Sequence, residues 1–268
     1  MCIDFETYPL SRILLVDGTN IVMRYAHAMA SPSVADPDNP AFSVDTARVA
    51  SACVKAIREC AKVAGCGYAV VSFDSRDSWR KKLYPAYKAK RDVSTHLWSE
   101  ALRSACDENQ IFTVSCDGFE ADDIIATLDR RIAERNMLRA VLSGDSDLLV
   151  LASEECDVYQ FGRKDEQRFQ LRSVEWIREK YGIASPEQLR AYKAIVGESG
   201  EGVPGLGGYG PVKARVLLER WGTVEKLIES QALTEANRER LALMLDLVTL
   251  RTDVPIGAIS PSACRISD

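Results

Sequence analysis

The chain has 268 residues, a formal charge of −5 and 27% charged side chains, long enough to bury a sizeable core as one large domain or as a body with a smaller appended piece. Eight cysteines without a Cys-x-x-Cys pair, and histidines only at His27 and His96, support neither a structural zinc site nor a disulfide framework. The N-terminus lacks a basic segment followed by an apolar one, and the run Ile13–Val16 is far too short to span a bilayer, so a cytoplasmic protein without a membrane partner is expected.

Ile13-Leu-Leu-Val16 and residues 68–73 are short apolar runs, each followed at once by an acid, Asp17 and Asp74. Both read as buried strands of a parallel sheet. Between them Ala50, Val54, Ile57 and Ala61 recur at helical spacing until Gly65, a C-cap, which makes this stretch the crossover helix of a βαβ unit; Cys53 and Cys60 fall within it as reduced packing residues. Ile111–Val114 and Ala140–Leu142 read as two further strands, joined by a helix that starts near Phe119 and aligns Ile124, Leu128 and Ile132. Alternating strands and helices argue an open α/β sheet, in which ligands gather at the carboxyl ends of the strands, where Asp17, Asp74 and Asp145 fall.

After about residue 170 the pattern becomes helical. Ser185-Pro-Glu-Gln188 combines an N-cap, a first-turn proline and a capping-box glutamine, predicting a helix to about Val196. The glycine-rich turn 202–210 and a helix through Val216, Leu217 and Trp221 complete a helix–hairpin–helix shape, and the tail after Pro255 reads as weakly structured. The expected boundaries are an α/β body over 12–170, including the stretch at about 76–108, and a helical subdomain over 171–255.

Nine carboxylates fall in short motifs at predicted strand ends and helix starts: Asp17, Asp74, Glu120, Asp122, Asp123, Asp145, Asp147, Glu198 and Glu201. Two unit charges about 4 Å apart repel by about 4 kcal/mol at an effective dielectric near 20, so convergence of these acids implies bound divalent metal. Oxygen ligands without His or Cys favour Mg²⁺ or Mn²⁺ over zinc. Acids at a helix start also complement the helix dipole, which accounts for one or two of Glu120, Asp122 and Asp123; their density argues for more. Asp145-Ser-Asp147 does not open a calcium loop, because Val150 and Cys156 stand where Gly and Glu are needed. Gly205-Leu-Gly207-Gly-Tyr-Gly210 has dinucleotide-loop spacing but lacks the strand before it, so a hairpin whose backbone approaches a phosphate is preferred. Arg76, Arg80, Lys81, Lys82, Lys88, Lys90 and Arg91 are interleaved with Trp79, Tyr84 and Tyr87, a mixture suited to stacking bases while neutralising phosphates, although most charge runs are solvated faces.

Taken together, these segments resemble the 5′-nuclease family, which includes flap endonucleases, bacteriophage 5′-3′ exonucleases and the N-terminal nuclease domain of bacterial DNA polymerase I. The resemblance spans about residues 12–222. It rests on Leu15-Val-Asp-Gly-Thr-Asn20, Phe73-Asp74, Leu83-Tyr-Pro-Ala-Tyr-Lys-Ala-Lys-Arg91, Gly118-Phe-Glu-Ala-Asp-Asp123, Gly144-Asp-Ser-Asp147 and the 197–210 hairpin, in the family's order. It implies a PIN-like parallel sheet flanked by helices, with a helical arch and a C-terminal helix–hairpin–helix-type subdomain. The implied activity is a metal-dependent, structure-specific 5′-3′ exonuclease and flap endonuclease acting on DNA with a 5′ flap, nick or 5′ end. Two divalent cations are implied, with Asp17, Asp74, Glu120 and Asp122 around the first, Asp123 near it through water, Asp145 between the sites, and Asp147, Glu198 and Glu201 at the second. Lys88 and Arg91 match basic residues at the scissile phosphate, with Tyr87 stacking beside them. Arg76, Arg80, Lys81, Tyr84, Lys90 and, around the hairpin, Gly205, Gly208, Gly210 and Lys213 are the expected DNA contacts; relatives can hold a monovalent cation such as K⁺ at the hairpin. A free-standing monomer from a bacterium or phage-infected cell, a replication polymerase as partner and RNA 5′ ends as further substrates complete the expectation. The family usually reads Gly-Asp-x-x-Asp-Asn where this chain has Gly197-Glu-Ser-Gly-Glu-Gly202. The alternatives are a catalytically weak or silent junction-binding protein and a PIN-type ribonuclease.

Overall fold

The computed structural model describes residues 12–29, 45–88, 95–163 and 166–266. A six-stranded sheet in the order β3-β2-β1-β4-β5-β6 forms its centre, built from β1 (Arg12–Asp17), β2 (Cys66–Ser72), β3 (Phe112–Val114), β4 (Arg139–Leu142), β5 (Cys156–Phe161) and β6 (Phe169–Leu171). The first five strands are parallel, and β6 pairs antiparallel with β5 at the edge. The central strand alternates between two cores: Ile13 and Leu15 join one apolar cluster, Leu14 and Val16 the other. This is the period-two geometry of a strand buried on both faces, and it explains why its sequence is continuously apolar.

One face is covered by α1 (Gly18–Met29), α2 (Thr46–Ala64) and α4 (Thr95–Glu108). Asp45 accepts from the amides of Ala47 and Arg48 at the start of α2, and Gly65 closes it in the left-handed conformation expected of a C-cap. Cys53 and Cys60 are buried in this helix as free thiols. Of the stretch expected as an arch, α3 (Trp79–Leu83) is one short helix, and α4 buries Trp98, Leu102 and Cys106 in the core shared with α2.

The other face is covered by α5 (Ala121–Ala133) and by the helical region α6 (Val174–Tyr181), α7 (Gln188–Val196), α8 (Pro211–Trp221), α9 (Val224–Glu229) and α10 (Glu235–Val248). The described part of the tail after Pro255, expected to be weakly structured, is instead packed: Ile256, Ile259 and Cys264 are buried, Arg131 donates to the carbonyl of Ile256, and Ile266 N donates to Gly67 O. Its apolar residues lie between prolines and glycines without helical or strand period, so the burial comes from tertiary contact alone. No described helix is long and apolar enough to cross a membrane.

Candidate metal centre and nucleic-acid interface

The parallel register brings the acids to one edge. Asp17 ends β1 opposite Ser72 at the end of β2, and its neighbour Val16 pairs with Leu142 at the end of β4, so the residues that follow each strand emerge together. Asp17 Oδ1 accepts from Asn20 N at 2.9 Å and its Oδ2 from Ser143 Oγ at 2.9 Å. Ser143 Oγ in turn accepts from Asp145 N at 3.0 Å, and Asp145 Oδ1 from Asp147 N at 2.9 Å, an Asx-type turn that presents both carboxylates from one loop. Asp74 is fixed from both sides: its amide donates to Thr19 Oγ1 at 2.9 Å and its Oδ1 accepts from Ala121 N, at the start of α5, at 2.8 Å. Beyond α7, Glu198 and Val203 exchange backbone hydrogen bonds of 2.7 and 3.0 Å, which turns Glu201 back toward the sheet. Asp145, Asp147 and Glu201 each offer an oxygen, all within 4.8 Å of one another.

Three buried cations are set among these acids. Arg80, 1% exposed, donates to both oxygens of Asp123 at 2.8 Å, to Glu120 at 3.2 Å, to Asp122 at 3.5 Å and to Leu247 O at 2.8 Å. Lys88 Nζ lies 3.0 Å from Glu120 and 3.3 Å from Glu201. Lys193 bonds Asp147 and Ser146 and lies 3.0 Å from Glu198. Burial works against the charge of each cation, yet the surrounding acids win and hold all three above their ordinary range. Burial likewise opposes ionisation of Glu120, but Lys88 and Arg80 outweigh it and pull its pKa down. Asp17 and Asp147 have no such surplus of cations: burial first, then Asp74 for Asp17 and Asp145 for Asp147, pushes each up to about 7, against the opposing pull of Lys193 on Asp147. Burial, followed by Asp123 and Glu120, raises Asp122 well above the carboxylate range despite Arg80.

Several predicted residues stand differently from their expected roles. Arg80 does not face a DNA-contacting surface; its guanidinium is enclosed by three carboxylates and the carbonyl of Leu247, which closes it to a phosphate. Asp123 is fully buried between Arg80, Trp79 Nε1 at 2.9 Å and Arg251 N at 2.8 Å, so its oxygens already have donors. Tyr87 is 2% exposed and its hydroxyl donates to Glu120 at 3.1 Å, which removes its ring from stacking on a base in this conformation. Arg76, which contacts His96, and Lys81 are exposed, and Tyr84 is half-buried. Lys90 and Arg91 lie outside the described residues.

The hairpin separates into two kinds of glycine. A Cβ at Gly205 would lie 2.6 Å from the backbone of Val196 and Gly197, and its φ of +64° is left-handed, so this residue is fixed by packing on the end of α7. At Gly207, Gly208 and Gly210 a Cβ would meet nothing within 4 Å, which leaves open backbone beside the exposed Lys213. No strand leads into the hairpin, and Gly210 is the N-cap of α8, as the preferred phosphate-hairpin reading requires. Lys193 was not singled out from the sequence, although the signal is there: it falls within the apolar face of α7 carrying Leu189 and Tyr192, where a lysine is admitted only with an acid to pair it.

Residues 12–182 match the 5′-3′ exonuclease N-terminal resolvase-like domain family, and residues 184–268 the 5′-3′ exonuclease C-terminal SAM fold family. The chain belongs to the 5′-3′ exonuclease family. It is similar to the thermostable DNA polymerase I of Thermus aquaticus, with 30% identity over 262 residues that cover 92% of this chain and 29% of the relative. It therefore spans less than a third of that polymerase's length. The flap endonuclease Xni of Pseudoalteromonas translucida is 28% identical over 255 residues, covering 91% of this chain and 95% of the relative. The fold is similar to that of the T5 D15 protein crystallised with metal ions, with a TM-score of 0.72, 23% identity and coverage of 88% of this chain and 89% of the other. The catalytic core of Rad2 in complex with DNA is a more distant likeness in fold, with a TM-score of 0.56 at 14% identity over 97% of this chain and 86% of the other.

Proposed function

We propose that the chain is a metal-dependent 5′-3′ exonuclease and flap endonuclease that hydrolyses DNA phosphodiesters near single-strand/duplex junctions. The observation that carries this reading is the convergence of the Asp145, Asp147 and Glu201 oxygens within 4.8 Å, at the sheet edge where β1 delivers Asp17. The donor set fits hard divalent cations: every group is a carboxylate, Asp17 and Asp147 are destabilised as anions by burial and neighbouring acids, and Glu198 Oε2 is buried without a hydrogen-bond donor. Asp17, Asp74, Glu120 and Asp122 would hold one ion, Asp147, Glu198 and Glu201 the other, with Asp145 between them. Mg²⁺ or Mn²⁺ would fill both positions. Bound together, two such ions supply an activated water and charge stabilisation for the attacking and leaving oxygens.

This chain's own residues would bind and orient the phosphodiester. Lys88, held by Glu120 and Glu201, would transfer its donors to the scissile phosphate as those acids turn to metal, and Arg91 would act beside it. Asp123, bonded by Arg80 and by Trp79 Nε1, would position the first turn of α5 that carries Asp122. The open glycines of the 202–210 hairpin and Lys213 would hold duplex phosphates. A monovalent cation such as K⁺ there would compete with Lys213, whose Nζ donates to Gly208 O at 2.8 Å. The protein would act as a cytoplasmic monomer on DNA with a 5′ flap, nick or 5′ end.

The test is cleavage of a 5′-labelled flap duplex beside single-stranded and RNA counterparts, with Mg²⁺, Mn²⁺ or chelator. Metal-dependent cutting of DNA near the junction supports the proposal. Tight junction binding without cutting would replace it with a silent binder, and preferential cutting of RNA with a PIN-type ribonuclease.

A further inference from the structure

A second group of basic and aromatic side chains flanks the acid-bearing loop. Trp176 and Lys180 lie four residues apart on α6 and Arg172 precedes the helix; the three form one stripe because both cations converge on the Trp176 ring. The Arg172 guanidinium carbon lies 4.3 Å and Lys180 Nζ 4.5 Å from the Trp176 ring centroid, and Lys180 Nζ is 5.2 Å from that of Tyr181. Both ends of the stripe connect to the site. Arg172 Nε donates to Gln160 Oε1 at 3.0 Å, and Gln160 Nε2 to Gly144 O at 3.4 Å, next to Asp145. At the other end Tyr181 packs edge-on against Tyr192, ring centroids 5.6 Å apart, next to Lys193, which bonds Ser146 and Asp147.

The acids of α6 face away from the stripe. Glu175 and Glu179 line a separate cleft with Arg178, Gly182 and Glu219. Lys180 is exposed, and the charges acting on it are positive: burial first, then Arg172 and Lys193, lowers its pKa. This flank thus carries positive charge that an anion would relieve. The Arg172 and Lys180 charges lie 4.3 and 4.5 Å from the same Trp176 ring centroid, so they are at most about 9 Å apart, within reach of neighbouring phosphates of one strand. Bracing both cations on one ring restricts their side chains in advance, which lowers the entropy lost when a phosphate is bound.

We propose that Arg172 and Lys180, braced by Trp176, bind the DNA backbone on the Asp145–Asp147 side of the acid cluster, as a contact separate from the 80–88 turn and the 202–210 hairpin. The inference rests on the nuclease reading above, and its substrate is the duplex phosphate backbone, so it carries no sequence preference.

The test is equilibrium binding of a flap duplex in chelator across a salt series, for the wild-type chain, for Arg172→Gln/Lys180→Gln, and for the control Lys55→Gln on α2. Each lost phosphate contact removes about 0.9 from the slope of log affinity against log salt, so the double variant should be shallower by about 1.8, with weaker binding, and the control unchanged. If the double variant does not fold, Lys180→Gln alone should lower the slope by about 0.9. A wild-type slope in the variants, with wild-type binding intact, overturns the Arg172/Lys180 contact and leaves the nuclease reading standing. Absence of junction binding by the wild-type chain removes both.

Discussion

Arg80→Met tests whether the acids at the start of α5 are held by an internal cation. The substitution keeps much of the side-chain volume and removes six hydrogen bonds, to Asp123, Glu120, Asp122, Leu247 O and Thr249 O. Asp123, at 0% exposure, is then a buried carboxylate without its main partner. Breaking a buried pair from one side costs about 3–5 kcal/mol. At about 2–4 °C per kcal/mol for a chain of this size, the melting temperature should fall by roughly 10 °C. Thermal and urea denaturation in chelator would measure it. Arg80→Lys should recover only part of the loss, because an ammonium cannot bond both Asp123 oxygens as a planar fork does. Arg80→Met/Asp123→Asn should be more stable than Arg80→Met alone, since the orphaned charge is gone. A loss below about 1 kcal/mol for Arg80→Met would place the pair among weak surface contacts and refute the reasoning.

Lys88→Ala should lower turnover by about 100-fold or more while changing duplex affinity far less, as electrostatic groups acting at the transition state do; equal losses in rate and affinity would reduce Lys88 to a binding residue. Gly202→Ala places a Cβ 2.6 Å from Ala86 O at a φ of +75°, so it should cost at least about 1–2 kcal/mol and disturb the 2.9 Å bond from Lys88 N to Glu201 O. Denaturation and cleavage rates should both show the damage, and a neutral substitution would mean that the 198–203 turn is not packed against the 86–88 turn. The pH dependence has a defined sign. Asp17 and Asp147 keep their protons to about pH 7 in the folded chain, against an ordinary carboxyl value of 3.8, so between those values the folded state binds more protons than the unfolded one. Metal-free stability should therefore fall as pH rises from about 4 to about 7, and saturating Mg²⁺ or Mn²⁺ should reverse the trend because metal binding requires the ionised acids. Parallel melting-temperature profiles with and without metal would contradict this.

The parallel strands were legible because burial on both faces makes β1, β2 and β4 continuously apolar, and because each hands over to a polar or acidic residue. The β5–β6 hairpin was not: Cys156–Phe161 places Asp157 and Gln160 among its apolar residues, and β6 is a three-residue edge strand. Ser185 and Pro186 announced α7, which begins at Gln188 because the Gln188 side chain takes the amide of Ala184 before the helix, at 2.8 Å. At the site, the acids stood out by density, but their counter-cations did not. Arg80 reads as one member of a solvated basic run, and only the three-dimensional path that brings Leu247 and Asp123 to it marks it as interior. Gly202, where the family has Asn, carries its reason in the backbone of Ala86, a contact no local pattern encodes.

The account depends most on the link between the acid cluster and cleavage. Single-turnover cutting of a 5′-flap duplex in Mg²⁺ by the wild-type chain and by Asp145→Asn tests that link directly. Asp145 presents an oxygen beside those of Asp147 and Glu201 from an exposed-edge loop, so its amide should preserve the fold and DNA binding while abolishing metal-dependent cleavage. Cleavage by Asp145→Asn at the wild-type rate in Mg²⁺ would contradict the assignment of this cluster as the catalytic centre.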